Sequence, residues 1–441
     1  MTYQQIKAST VFPDGVHPAL IEFDPQSGTI AAVERIESVD RNDRLLFPGF
    51  MDIHVHAREY PRPDPKDAAA HERWEKACTK ETFSSAGQAA INGGVTLFCA
   101  MPNDPDPPSN ESTYRRKLET ARASECPVIL FAATTRSSEP WADLPYKVYL
   151  DNAPSAVSFD DWGALEEALG RYRGCRVFFH AEDPEELAAP GTTGPRWFTR
   201  PPRAERSAVE KILDLTAKLG LRSHICHVST ESAVRLIREY NSGASVRVTC
   251  EVTPHHLFFS VDEGRISAAI GGELEEAAFL ECNPPLRSES DRRFLLHALR
   301  QGLIDVLASD HAPHTRDDKT AGAPGMPHLD TLGPFAGWLI KDVGFTPQRV
   351  AEVLSSVPAS IFSQDLSRTH GRIEIGCAAS FTELDLSGET LVRGDRIEGR
   401  GKLETRCGWS PFSGIPLPAA VVKTYVLGRK YEFPPKSGRV I

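Results

Sequence analysis

Apolar and polar positions change rhythm twice along the chain. Up to about residue 46, short apolar alternations are interrupted by Pro13-Asp14-Gly15 and Gln26-Ser27-Gly28, which predicts brief strands joined by turns. From Leu45 onward, strand-like runs alternate with helical patterns. The runs are Leu45–His56, Gly94–Pro102, Pro127–Thr135, Tyr146–Asn152, Arg176–Glu182, Ser223–Ser229, Val246–Leu257 and Ile304–Pro313. Helical periodicity follows most of them, over Asp67–Ile91, Ser112–Ala123, Asp160–Tyr172, Ala204–Leu219, Thr230–Tyr240, Ser290–Gln301 and Thr331–Asp342. This repeated alternation predicts an α/β protein built on a (β/α)8 TIM barrel. Only Arg136–Pro145 separates the third and fourth runs, too short for a crossover helix, so an abbreviated connection is expected there. A further helix near Pro347–Leu354 precedes a return to short strands from about residue 370, among them Gly371–Gly376 and Val421–Val426. The two ends are expected to pair into one small β-sandwich-like domain, 1–46 with 370–441, beside a barrel of residues 47–369.

Composition narrows the class without fixing a chemistry. At 441 residues the chain could form roughly three average domains, yet a barrel of about 250 residues as one domain fits equally well. A hydrophobic content of 40% with 25% charged residues is ordinary for a soluble globular protein. The net charge of −10 gives no electrostatic reason to expect nucleic acid or an anionic membrane as partner. No apolar run is long enough to span a membrane, and the opening Met-Thr-Tyr-Gln-Gln-Ile-Lys lacks the apolar region of a signal peptide. The nine cysteines include no CxxC pair, and an odd number cannot all pair within the chain. A reduced, cytoplasmic protein is expected.

The stretch from Phe47 to Glu59 carries His54 and His56 two residues apart, with Arg58 two further on. On a strand these side chains share one face. Two imidazoles converging from one strand can hold a divalent metal, and a neighbouring arginine can hold an anionic substrate. An isolated HxH run could equally be chance, so the positions of the other ligand-type residues decide. Asn103 follows the second run, Lys147 lies in the fourth, His180 ends the fifth, His227 the sixth and Asp310 the eighth. Each sits at or near the C-terminal end of its strand, where barrel enzymes build their active sites. Taken singly, His180 or His227 reads as an ordinary hydrogen-bonded histidine; together, four histidines and an aspartate at one rim predict a metal site. Lys147 reads two ways. Burial in a barrel strand would depress its pKa and make it reactive, whereas a salt-bridged lysine would be structural.

Several motifs are longer and more specific. Gly49-Phe50-Met51-Asp52-Ile53-His54-Val55-His56, Met101-Pro102-Asn103, Lys147-Val148-Tyr149-Leu150, His180-Ala181-Glu182, His224-Ile225-Cys226-His227-Val228-Ser229 and Ala308-Ser309-Asp310-His311-Ala312-Pro313-His314 resemble the dihydroorotase branch of the amidohydrolase superfamily. Cys250-Glu251-Val252-Thr253-Pro254-His255-His256-Leu257 and Asn283-Pro284-Pro285-Leu286-Arg287 are similar in wording to the dihydroorotase domain of the animal multifunctional pyrimidine-synthesis protein. The resemblance runs from about Leu45 to Ile361, and Cys407-Gly408-Trp409-Ser410-Pro411-Phe412 resembles the superfamily's small β-domain.

The resemblance implies two zinc ions per chain, bridged by N6-carboxylysine at Lys147 and by a hydroxide. His54, His56 and Asp310 would bind one ion, His180 and His227 the other. It also implies that Arg58, Asn103 and His314 grip the substrate, with Arg287 and the Pro324-Gly325 loop nearby. The implied reaction interconverts N-carbamoyl-L-aspartate and L-dihydroorotate in de novo pyrimidine (UMP) biosynthesis, with Asp310 as the catalytic proton carrier. Neighbouring zinc ions lower the pKa of a bridging water, and a small positive excess beside Arg58 suits an acidic substrate.

Some positions depart from the pattern. Where the animal domain has a lid loop with threonine and phenylalanine, this chain reads Asp151-Asn152-Ala153-Pro154-Ser155, so different lid contacts are expected. Cys226 and Glu251 match positions that could hold an additional metal in that relative, and are read as a buried thiol and a supporting carboxylate. His17, His71, His297, His328 and His370 stand outside any motif and are read as structural or surface residues. Three rival functions remain: an allantoinase or hydantoinase, a non-catalytic dihydroorotase-like partner of aspartate transcarbamoylase, and a metal-binding barrel of unrelated chemistry. Arg58, Asn103, Arg287 and His314 together favour dihydroorotase, and an inactive scaffold should have lost ligands that this chain retains. A homo-oligomer is expected, with aspartate transcarbamoylase as a candidate partner.

Overall fold

The computed structural model describes residues 3–41, 43–152, 155–189, 192–262 and 277–433. At its centre the strands Phe50–Val55, Val95–Ala100, Val128–Leu130, Pro145–Leu150, Arg176–Ala181, Arg222–Ile225, Thr249–Val252 and Val306–Leu307 form the eight staves of a barrel, here called the first to the eighth. Their pairings are parallel. The third stave changes partner at Phe131: Val128–Leu130 pairs with the second, and Ala132–Ala133 pairs with the fourth. The ring closes where Val55 bridges to His311, with His56 N–H donating to His311 O at 2.8 Å. Staves buried on both faces read as near-continuous apolar runs. Met51, Ile53, Leu97, Cys99, Phe131, Phe178 and Val306 pack together with Phe362, while Val55, Phe98, Val148 and Phe179 belong to the larger cluster shared with the surrounding helices.

The first stave is not a regular strand. Its register shifts between Asp52 and Val55. Ile53 belongs to the inner cluster, so regular alternation would turn His54 outward. The shift brings His54 to the same side as Ile53.

Several runs are shorter or differently divided than periodicity suggests. The run Leu45–His56 splits at Gly49 into Arg44–Pro48, which joins a separate sheet, and the first stave. A Cβ at Gly49 would stand 2.2 Å from Thr96 Oγ1, so only glycine fits the junction. The pattern Asp67–Ile91 forms two helices, Ala68–Lys80 and Phe83–Asn92. Thr82 interrupts it by building a capping box with Ser85. The run Val246–Leu257 is a strand only over Thr249–Val252, because Thr253 caps the helix Pro254–Phe258 by accepting from His256 N–H. The run Ile304–Pro313 shrinks to Val306–Leu307, with Asp310 in the left-handed region at φ 46°. Gly371–Gly376 forms no strand; Gly371, at φ 77°, turns against the Ser355 carbonyl. Arg136–Leu144 carries no helix.

The smaller β-domain draws on both terminal segments. Its seven-stranded sheet runs, edge to edge, Arg429–Glu432, Ala420–Val426, Phe381–Asp385, Arg44–Pro48, Gln4–Phe12, Gly15–Asp24 and Thr29–Arg35. Arg44–Pro48 is parallel to Gln4–Phe12 and antiparallel to Phe381–Asp385. Thr382 ties this sheet to the barrel: its hydroxyl donates to Gly94 O at 2.5 Å and accepts from Phe50 N–H at 3.2 Å. The sheet that holds the domain together thus also fixes the start of the first stave.

Candidate metal centre and substrate cavity

The first stave ends in His54 and His56, and the turn after the eighth delivers Asp310. Asp310 Oδ1 lies 3.3 Å from His54 Nε2 and 3.2 Å from His56 Nε2. Facing them, His180 Nδ1 of the fifth stave lies 3.0 Å from His227 Nε2, beyond the sixth. The His54 and His227 ring centroids are 5.2 Å apart, so the two groups adjoin. Lys147, on the fourth stave, is fully buried, and its Nζ donates to Cys226 Sγ at 2.8 Å. Among the described residues, no carboxylate forms an ion pair with it.

Backbone strain gathers at the same place. Arg58, His227 and Asp310 hold φ values of 60°, 36° and 46°, in the region that side chains other than glycine rarely occupy. Such conformations cost about 1–3 kcal/mol each and persist only where the surrounding structure enforces them.

Buried partners aim the imidazoles. Glu251 Oε1 lies 2.5 Å from His54 Nδ1, and its Oε2 lies 3.2 Å from His224 Nε2. Asn103 Oδ1 accepts from His56 Nδ1 at 2.8 Å, and Glu182 Oε2 accepts from His180 Nε2 at 3.0 Å. For His54, His56 and His180 the contact takes up one ring nitrogen and leaves the other facing the centre, as in histidines that ligate metals, whereas His224 spends its second nitrogen on Thr249. His227 Nδ1 is buried without a hydrogen-bond partner. Burial disfavours charge on His54, but Glu251 and Asp310 outweigh it and raise its pKa to about 10. Burial lowers His56 to about 4, against the pull of Asp310, and holds His227 well below its ordinary value. Burial would raise Asp310, yet His54 and His56 hold it at about 2. The neutral rings of His56 and His227, the ionised Asp310 and Glu251, and a His54 that would give up its extra proton to a cation form a donor set that fits divalent cations.

Above these groups opens a cavity of about 580 Å³, lined by His54, His56, Arg58, Asn103, His180, His227, Asp310, His314, Pro324 and Gly325. Arg58 Nε donates to Pro313 O at 3.2 Å, and one terminal nitrogen lies 3.1 Å from His314 Nε2. Burial, reinforced by Arg58, holds His314 far below its ordinary pKa, so the ring is neutral and accepts that bond. The Pro324-Gly325 loop is pinned by the Lys319 ammonium, which donates to Glu281 O, Ala323 O and Gly325 O at 2.8–2.9 Å.

Arg287 is not among the lining residues. Its Nε donates to Ser229 Oγ and its Nη1 to Arg200 O, which holds the side chain off the lining and leaves Nη2 buried without a partner. Several residues to which the sequence assigned no role also line the cavity: Asp104, Pro105, Tyr149, Ala156–Ser158, Asn283 and Ala312. Tyr149 lies two positions beyond Lys147 on one strand face, a spacing that could have revealed it. Its hydroxyl is buried without a partner. The segment Ser155–Ser158 comes from a loop with no periodicity to follow. In the loop expected to form a lid, Asp151 and Ser155 reach the cavity, while Ala153 and Pro154 lie outside the described residues. Among the described residues, no helix is long and apolar enough to cross a membrane.

No family model matches the chain. A dihydroorotase from Anaeromyxobacter dehalogenans is 32% identical over 445 residues, covering 94% of this chain and 93% of that protein. A dihydroorotase from Archaeoglobus fulgidus is 30% identical over 433 residues, covering 94% of each. Among solved structures, an L-hydantoinase (dihydropyrimidinase) from Arthrobacter aurescens aligns with a TM-score of 0.80 at 23% identity, covering 98% of this chain and 96% of that one. A D-hydantoinase aligns with a TM-score of 0.76 at 20% identity, covering 96% and 93%. The barrel with its attached β-domain is common to these folds.

Proposed function

The chain belongs to the dihydroorotase family of cyclic-amide hydrolases, and on that premise we propose that its cavity opens and closes the L-dihydroorotate ring with two zinc ions at the stave ends. The observation that carries the reading is the meeting of His54, His56 and Asp310 with His180 and His227 around Lys147, a buried amine that pairs with no carboxylate among the described residues.

His54, His56 and Asp310 would hold one ion and His180 and His227 the other, with Lys147 reaching both as a carbamate. Burying an unpaired ammonium costs several kcal/mol. Addition of the neutral amine to carbon dioxide forms an N–C bond, releases one proton and leaves an anion that neighbouring dications favour. When bound, the metal pair supplies an activated water and polarises the amide carbonyl. Asn103 spends its Oδ1 on His56, which leaves its amide N–H groups to donate into the cavity. Arg58 spends Nε on Pro313 O and one terminal nitrogen on His314, which leaves its remaining nitrogen for the substrate carboxylate. Asp310, ionised at the start, takes the proton of the attacking water and passes it to the leaving ring nitrogen; ring closure runs the same transfer backwards.

Parallel assays of dihydroorotate, hydantoin and allantoin, with zinc measured per chain, test the reading. Dihydroorotate turnover with two zinc ions is expected; a preference for either other ring would reassign the substrate grip.

We further propose the division into 1–46 with 370–441 and 47–369, supported by the handover at Gly49. A reducing, cytoplasmic setting is supported by nine unpaired cysteines. A homo-oligomer, and aspartate transcarbamoylase as a partner, are supported by the neighbouring exposed Trp197 and Phe198. Light scattering with and without that enzyme tests both.

A further inference from the structure

One cluster of metal-type donors stands apart from the ligands assigned above. His255 and His256 lie in the short helix after the seventh stave, and Cys282 immediately precedes Asn283 of the cavity wall. One ring nitrogen of each histidine and Cys282 Sγ fall within 4.8 Å of one another, and all three side chains are buried. His328, also buried, places its Nε2 2.9 Å from His255 Nδ1.

Hydrogen bonding leaves this cluster incomplete. His255 Nε2 and His328 Nδ1 are both buried without partners. Only one proton can sit between His255 Nδ1 and His328 Nε2, so one outer nitrogen is a stranded donor and the other a stranded acceptor. Burial holds His255, His256 and His328 below their ordinary pKa values, which keeps the rings neutral and their lone pairs available. Four neutral, buried groups of this kind are a poor core and a good ligand set.

We propose that His255, His256 and Cys282 bind a thiophilic divalent cation of the zinc class, with His328 holding His255 in its ligating tautomer. In that tautomer His255 Nδ1–H donates to His328 Nε2, and Nε2 keeps its lone pair. His256 can match it: Thr253 Oγ1, 2.8 Å from His256 Nδ1, accepts the ring proton, and Nε2 gives up the Pro284 carbonyl at 3.1 Å for the cation. Tetrahedral zinc with nitrogen and sulfur ligands sets them roughly 3.3–3.7 Å apart, so the donors close by only about an ångström. Burial pushes the Cys282 thiol up; on binding, its sulfur lone pair forms the metal bond and the proton leaves to solvent. The cation would join the helix after the seventh stave to the segment that carries Asn283, and so position the cavity wall without touching substrate.

The test is cobalt substitution of the whole protein. A thiolate-to-cobalt charge-transfer band in the near ultraviolet is expected in the parent, retained in Cys226→Ser and lost in Cys282→Ser, with about one cobalt fewer per chain in the last. Should Cys282→Ser fail to fold, His255→Gln must lose the band at parent concentrations of metal. No band in the parent, a band surviving whichever of these two variants folds, or its loss in Cys226→Ser alone would overturn the proposal. The readout is sulfur bonded to metal, so it stands or falls separately from ring-opening activity.

Discussion

Lys147 Nζ donates to the Cys226 thiol at 2.8 Å, so the amine between the two groups of proposed ligands rests on a weak acceptor. Nothing in that contact compensates a buried ammonium, whereas the proposed carboxylation would replace it with an anion that metal ions favour. Lys147→Ala should therefore release zinc and lower turnover by more than the roughly 100-fold that loss of a mere supporting partner produces. Short carboxylic acids should restore part of the rate by standing in for the carbamate. Metal analysis beside ring-opening rates checks both, and full zinc with full turnover in the variant would dismiss the carbamate.

Arg58 is a half-buried cation in the cavity lining, placed for a substrate carboxylate with its geometry fixed by Pro313 O and His314. Arg58→Lys keeps the charge and loses the fork. A charge-assisted hydrogen bond contributes about 1.5–3 kcal/mol, so KM should rise roughly ten- to hundredfold. Zinc content should not change. Steady-state kinetics at matched zinc content decides the matter, and an unchanged KM would move the carboxylate site elsewhere.

In the proposed reaction Asp310 would serve opposite directions in opposite protonation states. His54 and His56 beside it favour its ionised form before ring opening, ready to accept a proton. Ring closure needs the protonated form. Hydrolysis should accordingly be faster in mild base and cyclisation faster in mild acid, with the two profiles crossing near neutrality. Asp310→Asn should abolish both while retaining much of the zinc. Rates in both directions across mildly acid to mildly alkaline pH provide the check; parallel profiles would remove Asp310 from proton transfer.

Glu205 links the cavity wall to stability. Its oxygens accept from Ser229 N–H at 2.7 Å and from Ser229 Oγ at 2.5 Å, and burial raises its pKa to about 7 despite Arg287. The folded protein therefore binds this proton more tightly than the unfolded chain, whose carboxyl titrates near 4.5. The contribution is fully present below that value and is lost as pH rises through about 7. Glu205→Gln, which keeps an oxygen to accept from Ser229 and carries no titrating carboxyl, should remove a loss on the order of 3 kcal/mol. Urea unfolding of the zinc-loaded parent and variant, compared at mildly acid and mildly alkaline pH, measures the difference; identical pH slopes would show that Glu205 is ionised in the fold.

The parts legible in the sequence are those governed by local periodicity. Apolar runs marked the staves, and ligand-type residues after them marked the rim, because a buried stave must be apolar until its end reaches the cavity. Breaks in that periodicity were not legible. Glu81 and Thr82 sit inside a pattern that continues as helix on both sides, yet Thr82 caps, and Glu81 turns to His311 at 3.0 Å. The register shift before Val55 is equally silent, since His54 and His56 keep their spacing whichever way they face. Arg287 lies off the lining because Ser229 and the Arg200 carbonyl hold it there. Those partners come from elements distant in the chain, and a motif does not record direction. Alternation likewise predicted strands at both ends but could not place Arg44–Pro48 in the middle of their sheet.

That placement bears on the order in which the molecule can be completed during translation. Arg44–Pro48 hands directly to the stave carrying His54 and His56, and one of its two flanking strands, Phe381–Asp385, is contributed far later, with Arg44 and Asp385 bonded across 341 residues. A growing chain on the ribosome thus exposes an unpaired strand edge next to the two proposed ligands until nearly all of the barrel has been made. Holding those histidines in place is a late event of biosynthesis, so any metal they take up would be acquired by the finished polypeptide.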